Sequence, residues 1–252
     1  ILDAYLEEDK KSRVAVETAG GKGKIFITGE VTSRAAVDAA AVAKRVIKDV
    51  GYDPGRFLVI DNIGRQSLDI AQGVDTGGAG DNGMMFGYAC NDTPQLLPTA
   101  MVILQMFSQW YDELRQVDTR FLPDGKAQIT GIYDDDFKLQ RIKTFTLCYQ
   151  NLEADRPATD RLLMRKAVDI CSKYGVKVDE FLINPTGRFR VGGFDADAGL
   201  TGRKIVVDSY HSFANVGGGA FSGKDPTKVD RSGAYKAREI AKEYLQEYGL
   251  RW

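Results

Sequence analysis

Residues 13–28 read RVAVETAGGKGKIFIT, and this stretch sets the architecture. Residues 13–18 and 24–28 alternate in the period of two that a pleated strand requires. Between them, Gly20, Gly21, Lys22 and Gly23 supply a turn. A β-hairpin is therefore expected. Downstream, Ser33 is placed to cap a helix running to about Val50, with Val37, Ala40, Ala41, Val46 and Ile47 near one face and Gly51 as its stop. Residues 57–60 read as a further strand. Residues 73–83 (GVDTGGAGDNG) are too irregular for either element.

The same alternation returns twice. Pro98 opens an amphipathic helix to about Gln116, with Met101, Leu104, Trp110 and Leu114 inward. Residues 127–133 and 143–149 read as strands, and 158–174 as a helix ended by Gly175. Residues 181–183 and 204–207 read as short buried strands. A second glycine-rich stretch, 217–223, precedes a final helix over 232–248. Hairpins followed by helices thus recur about three times, which predicts an α+β fold of small repeated modules. The modules are expected at 1–72, 78–193 and 194–252, with seams near residues 73–78 and 192–195.

Composition narrows the classes. The chain has 252 residues, 43% hydrophobic and 27% charged, with a net charge of −1. That balance suits a globular protein and gives no global basic field for nucleic acid or an anionic membrane. No apolar run is long enough to span a bilayer, and no signal peptide opens the chain. Cys90, Cys148 and Cys171 form a sparse, odd set, which argues against a disulfide framework or zinc site and fits a reducing cytosol. A Ser-His-Asp or Cys-His mechanism would have to use His211, the sole histidine, which lacks a partner motif and reads as structural.

The chemistry concentrates in residues 195–231, where Arg203, Lys204, Lys224, Lys228 and Arg231 mix with Asp197, Asp225, Asp230 and many glycines. Glycines let backbone N–H groups approach a ligand, and clustered cations neutralise oxyanions, so a polyphosphate cradle is expected in preference to a solvated loop. Residues 218–224 have P-loop spacing, but Asp225 stands where Ser or Thr should bind magnesium, and Pro226 follows. A P-loop NTPase is thereby disfavoured. Residues 77–83 suit either a ligand loop with Asp81 as acceptor or a plain turn. Asp134, Asp135 and Asp136 read as a solvated turn. The turn Asn184-Pro185-Thr186-Gly187 leads to Arg188 and Phe189, the latter either core or a base-stacking ring. Glu17 and Glu30 matter only if the first hairpin faces a ligand.

Several stretches resemble the signature sequences of methionine adenosyltransferases (S-adenosylmethionine synthetases): RVAVET (13–18) with Gly29-Glu30, RQSLDIAQGVD (65–75), GAGDNGMMFGYACNDTPQLLP (78–98), FLINPTGRF (181–189), DAGLTGRKIVVDSY (197–210) and GGGAFSGKDPTKVDRS (217–232). The likeness runs almost end to end in the same order. It implies the S-adenosylmethionine synthetase fold of three similar α/β modules, the third incomplete here. It also implies a homodimer or dimer of dimers with active sites at the subunit interface, and a cytoplasmic enzyme of one-carbon metabolism. The substrates implied are ATP and L-methionine. Methionine sulfur attacks C5′ of ATP, and the expelled triphosphate is cleaved to pyrophosphate and phosphate, with Mg2+ and K+ assisting.

Position by position, the resemblance implies Glu17 as a potassium ligand and Asp230 as a magnesium ligand. Glu30, Gln66, Asp81 and Asp197 stand at methionine-facing positions, and Lys228 at a methionine- or phosphate-contacting one. Asp124, Gly125, Lys126, Arg188, Phe189, Asp197, Arg203, Lys204, Ala220 and Lys224 stand at ATP-contacting ones. Lys126, Arg203, Lys204 and Lys224 carry the catalytic charge. The sequence departs from the family in several places. The family's opening His-Pro-Asp-Lys segment and the end of its third module have no counterpart, and the chain opens on Ile1. The gating stretch after Gln66 is shortened. Leu122 replaces an Arg, Asn215-Val216 replaces Arg-His, and of a central Ser-Thr-Gln-His only Gln150 remains. These departures leave a regulatory homologue that pairs with an active subunit as the alternative expectation.

Overall fold

The computed structural model describes residues 1–65, 79–152 and 156–251; Gln66 lies outside them. The chain divides into two compact units. One comprises Ile1–Ala89 with Phe194–Gly249, and the other Cys90–Gly193 with the chain end.

In the first unit the expected hairpin forms from β1 (Arg13–Gly21) and β2 (Lys24–Thr32), paired antiparallel from Arg13–Thr32 to Gly21–Lys24. Helix α1 (Leu2–Glu8) precedes it. Helix α2 (Ala39–Val50) then carries the chain across the sheet to β3 (Leu58–Arg65), which lies parallel to β2. Alternation places Val14, Val16, Ile25 and Ile27 on one face, where they pack with Leu2, Tyr5, Ala39, Ile47 and Phe57 into a single core. Helix α2 begins six residues later than the expected cap. Asp38, not Ser33, accepts from Ala41 N at 2.8 Å, while Ser33 Oγ pairs with Ser12 Oγ and accepts from Ala35 N. Both residue types can cap; tertiary bonding to Ser12 claims Ser33 for the loop. Gly51 ends the helix in the left-handed conformation, as expected. The two-residue strand β7 (Gly199–Leu200) pairs with β1 and completes the order β3-β2-β1-β7.

In the second unit α3 (Thr99–Val117) precedes the hairpin β4 (Phe121–Tyr133) and β5 (Leu139–Asn151). Helix α4 (Arg156–Ser172) crosses to β6 (Lys177–Ile183), parallel to β5. The motif hairpin, helix, parallel strand is therefore used in both units. Met101, Ile103, Phe107, Phe145, Leu147, Leu163 and Ile170 form the core here. Of the positions expected inward on α3, Met101 is buried, while Leu104, Trp110 and Leu114 are only half-buried.

One expectation fails outright. Residues 204–207 are not a buried strand: Ile205–Asp208 form the single-turn helix α5, with Val206 and Val207 48% and 60% exposed. Their β-branched side chains favour extended backbone locally, but no sheet edge receives them, and propensity without a partner does not make a strand. The final helix, α6 (Val229–Glu247), begins three residues earlier than its apolar periodicity suggests. Asp134, Asp136, Lys138 and Gln140 form an exposed turn closed on the Asp134 carboxylate, in keeping with a solvated reading.

Candidate functional site

The first hairpin presents its other face unburied. Register across it sets Gly64, Glu30, Ala15 and Lys224 in one row, since Glu30 pairs with Gly64 and Ala15, and Ala15 bridges to Lys224. Glu17 pairs with Thr28 in the next row, where Asn62 Nδ2 donates to Thr28 Oγ1 at 3.5 Å. Beyond them Ile60, Phe26, Ala19 and Leu200 make an apolar row, with Ile60, Phe26 and Leu200 between 40% and 45% exposed. The two glutamates thus share one open face with Lys224, as their strand positions require.

The segment 223–225 adds itself to the free part of the β1 edge. Val16 N donates to Gly223 O at 3.1 Å, and Asp225 N donates to Val14 O at 3.0 Å. Gly223 is required there: its φ is +79°, and a Cβ would stand 2.0 Å from Val16 O. Lys224 lies in this bridge, five residues before α6 begins, and not in a helix's first turn. The P-loop geometry is therefore absent, as Asp225 and Pro226 suggested.

From that edge Lys224 Nζ reaches Asp230 Oδ2 at 2.5 Å, and Lys228 Nζ reaches Asp225 Oδ2 at 2.6 Å. The Asp230 carboxylate packs against Gly219, where a Cβ would fall 2.2 Å from its Cγ, and lies near Gly83, where a Cβ would come 3.9 Å from its Oδ1. Ala220 is buried, and it packs close to Gly202, just before Arg203 and Lys204. Arg203 and Lys204 are exposed at the start of α5. Among the described residues, no ion pair holds either of them. Asp81 and Asp197 are exposed, and their carboxylates accept from the N–H of the next residue, Asn82 and Ala198. Neither is drawn into the Lys224–Asp230 cluster.

In the second unit the expected nucleotide residues gather at the end of β5. A register shift between Phe121 and Gly125 bends β4 at Asp124. Gly125 and Lys126 follow, exposed, opposite Tyr149 and Cys148. Gln150, buried at 6% exposure, accepts from Asp124 N at 3.3 Å and donates to Arg190 O at 3.0 Å. Asn151 N donates to Phe189 O at 2.9 Å. Asn184, in a left-handed conformation, pairs its side chain with both the N–H and the C=O of Tyr149. These bonds fix the turn carrying Arg188 and Phe189 beside the Asp124-Gly125-Lys126 corner. Phe189 is half-buried, open enough to stack.

Sequence reasoning gave no role to Asn184 or Gly219, and noted Gln150 and Asp225 only in passing. Asn at the first position of a Pro-Gly turn was the available signal for Asn184. The other three act through distant partners. His211 is half-buried, and burial pushes its imidazole below the ordinary value.

Among the described residues no group of three His, Cys, Asp or Glu side chains could hold a metal alone. Asp230 nevertheless fits magnesium, which commonly takes one or two carboxylates and completes its shell with water and phosphate oxygens. Glu17 is exposed, and its carboxylate oxygens are hard donors of the kind a potassium ion takes.

The comparisons with known proteins match the sequence in three consecutive stretches. Family models for the N-terminal, central and C-terminal domains of S-adenosylmethionine synthetase match residues 1–68, 76–189 and 191–249. The S-adenosylmethionine synthase of Synechococcus sp. (strain CC9605) is 43% identical over 277 residues, covering 96% of this chain and 67% of the relative. That of Parasynechococcus marenigrum (strain WH8102) is 42% identical, covering 96% and 66%. That of Salinispora arenicola (strain CNS-205) is 44% identical over 278 residues, covering 97% and 69%. The chain spans about two thirds of the length of these relatives. The alignments are longer than the chain itself, so the relatives carry residues within the aligned region that this chain lacks. On three matching domains and this identity, the chain belongs to the S-adenosylmethionine synthetase family.

Proposed function

We propose that this chain is a methionine adenosyltransferase, forming S-adenosylmethionine from ATP and L-methionine and releasing pyrophosphate and phosphate. The observation that carries the reading is the set Lys224, Lys228, Asp225 and Asp230, stitched to the β1 edge at a glycine-lined corner, with Lys224 in one row with Glu30. A thioether sulfur is nucleophilic without losing a proton, so the reaction needs no histidine or cysteine base. It needs charge complementary to the leaving triphosphate. As the S–C5′ bond forms and the C5′–O bond breaks, negative charge grows on the departing oxygen. Lys224, with Arg203 and Lys204, would stabilise that charge. Lys126 would carry a further share of the catalytic charge.

On this reading Asp124, Gly125, Arg188 and Phe189 hold the nucleoside, with Phe189 stacked on adenine. Glu30, Gln66, Asp81, Asp197 and Lys228 hold methionine. Bound magnesium would supply further charge neutralisation at the triphosphate, with Asp230 as its protein ligand. Glu17 would contribute to a potassium site. The open sheet face, with Glu17 and Glu30 beside the exposed row Ile60, Phe26 and Leu200, supports a homodimer that covers that face and completes the site. No helix among the described residues is long and apolar enough to cross a membrane. The module bounds 1–72, 78–193 and 194–252 and a cytoplasmic setting complete the proposal.

The test is methionine-dependent formation of S-adenosylmethionine by the purified chain, followed by mass spectrometry, with sedimentation velocity for the dimer. Product and a dimer are expected. A dimer with no product, which gains activity only on mixing with a longer homologue, would favour the regulatory reading.

A further inference from the structure

The Asp225 carboxylate is 1% exposed, yet nothing above assigns it chemistry. Four donors converge on it. Oδ2 accepts from Val14 N and Lys228 Nζ, each at 2.6 Å, and Oδ1 accepts from Thr227 N at 2.9 Å and Thr227 Oγ1 at 2.6 Å. We infer that Asp225 is a positioning residue: it locks residues 223–225 onto β1 and holds the Lys228 ammonium, so that Lys224 and Lys228 meet an anionic ligand together. The inference rests on the proposed function.

Only a carboxylate serves at this position. A Ser or Thr hydroxyl has two lone pairs and one proton, and cannot accept four donors. An Asn amide accepts at one end only. In one orientation its NH2 faces Val14 N–H and the Lys228 ammonium; in the other it faces Thr227 N–H. Either way a buried donor is left unpaired. The P-loop-like run thus departs from that motif for a structural reason: its next residue ties a loop to a sheet edge. Burial alone would push the Asp225 carboxyl up, but Lys228, Thr227 and Val14 more than offset it and hold the group below the ordinary carboxylate range.

The consequences reach both lysines. Lys224 lies between Gly223 and Asp225, whose backbone bonds to Val16 and Val14 fix its Cα, and its carbonyl accepts from Arg231 Nη1 at 3.0 Å. With its backbone so held, Lys224 can reach Asp230 and the space above the glycine corner. Because Asp225 engages Lys228, Asp230 is left to Lys224.

The experiment compares the full chain with Asp225→Asn, Lys228→Met and the double variant. It reads steady-state kcat and KM for both substrates, and calorimetric binding of inorganic tripolyphosphate. A positioning role predicts that Asp225→Asn weakens tripolyphosphate binding about tenfold or more, as misplaced groups do. It also predicts that adding Asp225→Asn to Lys228→Met costs much less than it does alone, since coupled residues are not additive. Simple removal of a negative charge predicts the opposite sign, tighter binding. Should Asp225→Asn fail to fold, Thr227→Val removes one donor hydroxyl and is expected to weaken binding two- to threefold. Binding at or above the wild-type affinity in the variants, or full additivity with Lys228→Met, would overturn the positioning role. A wild type that binds tripolyphosphate but forms no S-adenosylmethionine would refute the proposed function while leaving the positioning role to stand on the binding data.

Discussion

Gly219 and Gly218 are adjacent, and the structure assigns them opposite tolerances. A Cβ on Gly219 would fall 2.2 Å from the Asp230 Cγ, whereas one on Gly218 would meet nothing within 4 Å. Neither residue has a positive φ, so backbone strain does not confuse the comparison. In Gly219→Ala the Asp230 carboxylate must retreat by more than 1 Å to reach the ordinary contact of 3.4 Å. That movement breaks or lengthens its 2.5 Å pair with Lys224, whose side chain is 15% exposed against 21% for Asp230. Losing such a pair costs about 1–2 kcal/mol. Forcing Asp230 off its rotamer costs about 0.5–1.5 kcal/mol more. At about 2–4 °C per kcal/mol for a chain of this size, the melting temperature should fall by roughly 3–14 °C. Turnover should fall further, by about 10²-fold, because a displacement of this size in a charged site is costly. The assay is S-adenosylmethionine formation at a temperature where both variants are folded, with magnesium titrated. Gly218→Ala should match the wild type in both stability and rate. Equal losses in the two variants, or full turnover and unchanged magnesium dependence in Gly219→Ala, would refute the argument that this glycine seats Asp230.

Other outcomes follow from the same geometry. Lys224→Ala and Lys204→Ala should each lower kcat by about 10²–10³; Lys204→Ala should leave the melting temperature nearly unchanged, and Lys224→Ala should lower it by about 2–8 °C through the lost pair with Asp230; unchanged turnover in both would remove the polyphosphate cradle. Phe189→Ala should raise the KM for ATP by the equivalent of about 1–3 kcal/mol of stacking and leave methionine nearly unaffected; equal or reversed effects would end the stacking role. His211, depressed by burial, binds its proton less readily folded than unfolded. Its contribution to stability is therefore present above the unfolded value of about 6.5 and is lost as pH falls through the folded one. As the only histidine, its proton resonance can be followed alone; a midpoint at or above about 6.5 would contradict the burial argument.

Local pattern carried much of the fold into view. The hairpin at residues 13–28 declared itself because period-two alternation and a glycine turn are both local. Gly51 stopped its helix for the same reason, and Gly175, in a left-handed conformation, closes the turn that follows α4. What stayed hidden depends on distant partners. Ser33 lost its cap to Ser12, twenty-one residues away, and the β-branched pair Val206-Val207 formed a helical turn because no strand stood beside it. The site shows the same split. Lys224, Asp230 and Lys228 were visible as a charged glycine-rich cluster. Asp225 was visible only as a misfit, because its meaning lies in Val14, 211 residues earlier. Gln150 likewise reads as an isolated polar residue until Asp124 and Arg190 are found on either side of it.

The central claim concerns which bond of ATP breaks. The most direct measurement is the product balance of the purified chain of verified intact mass with ATP, L-methionine, Mg2+ and K+. Nucleosides would be followed by mass spectrometry and phosphates by phosphorus NMR. The account predicts S-adenosylmethionine, pyrophosphate and phosphate in equal amounts, and no ADP. ADP and phosphate formed at the same rate with or without methionine would contradict it.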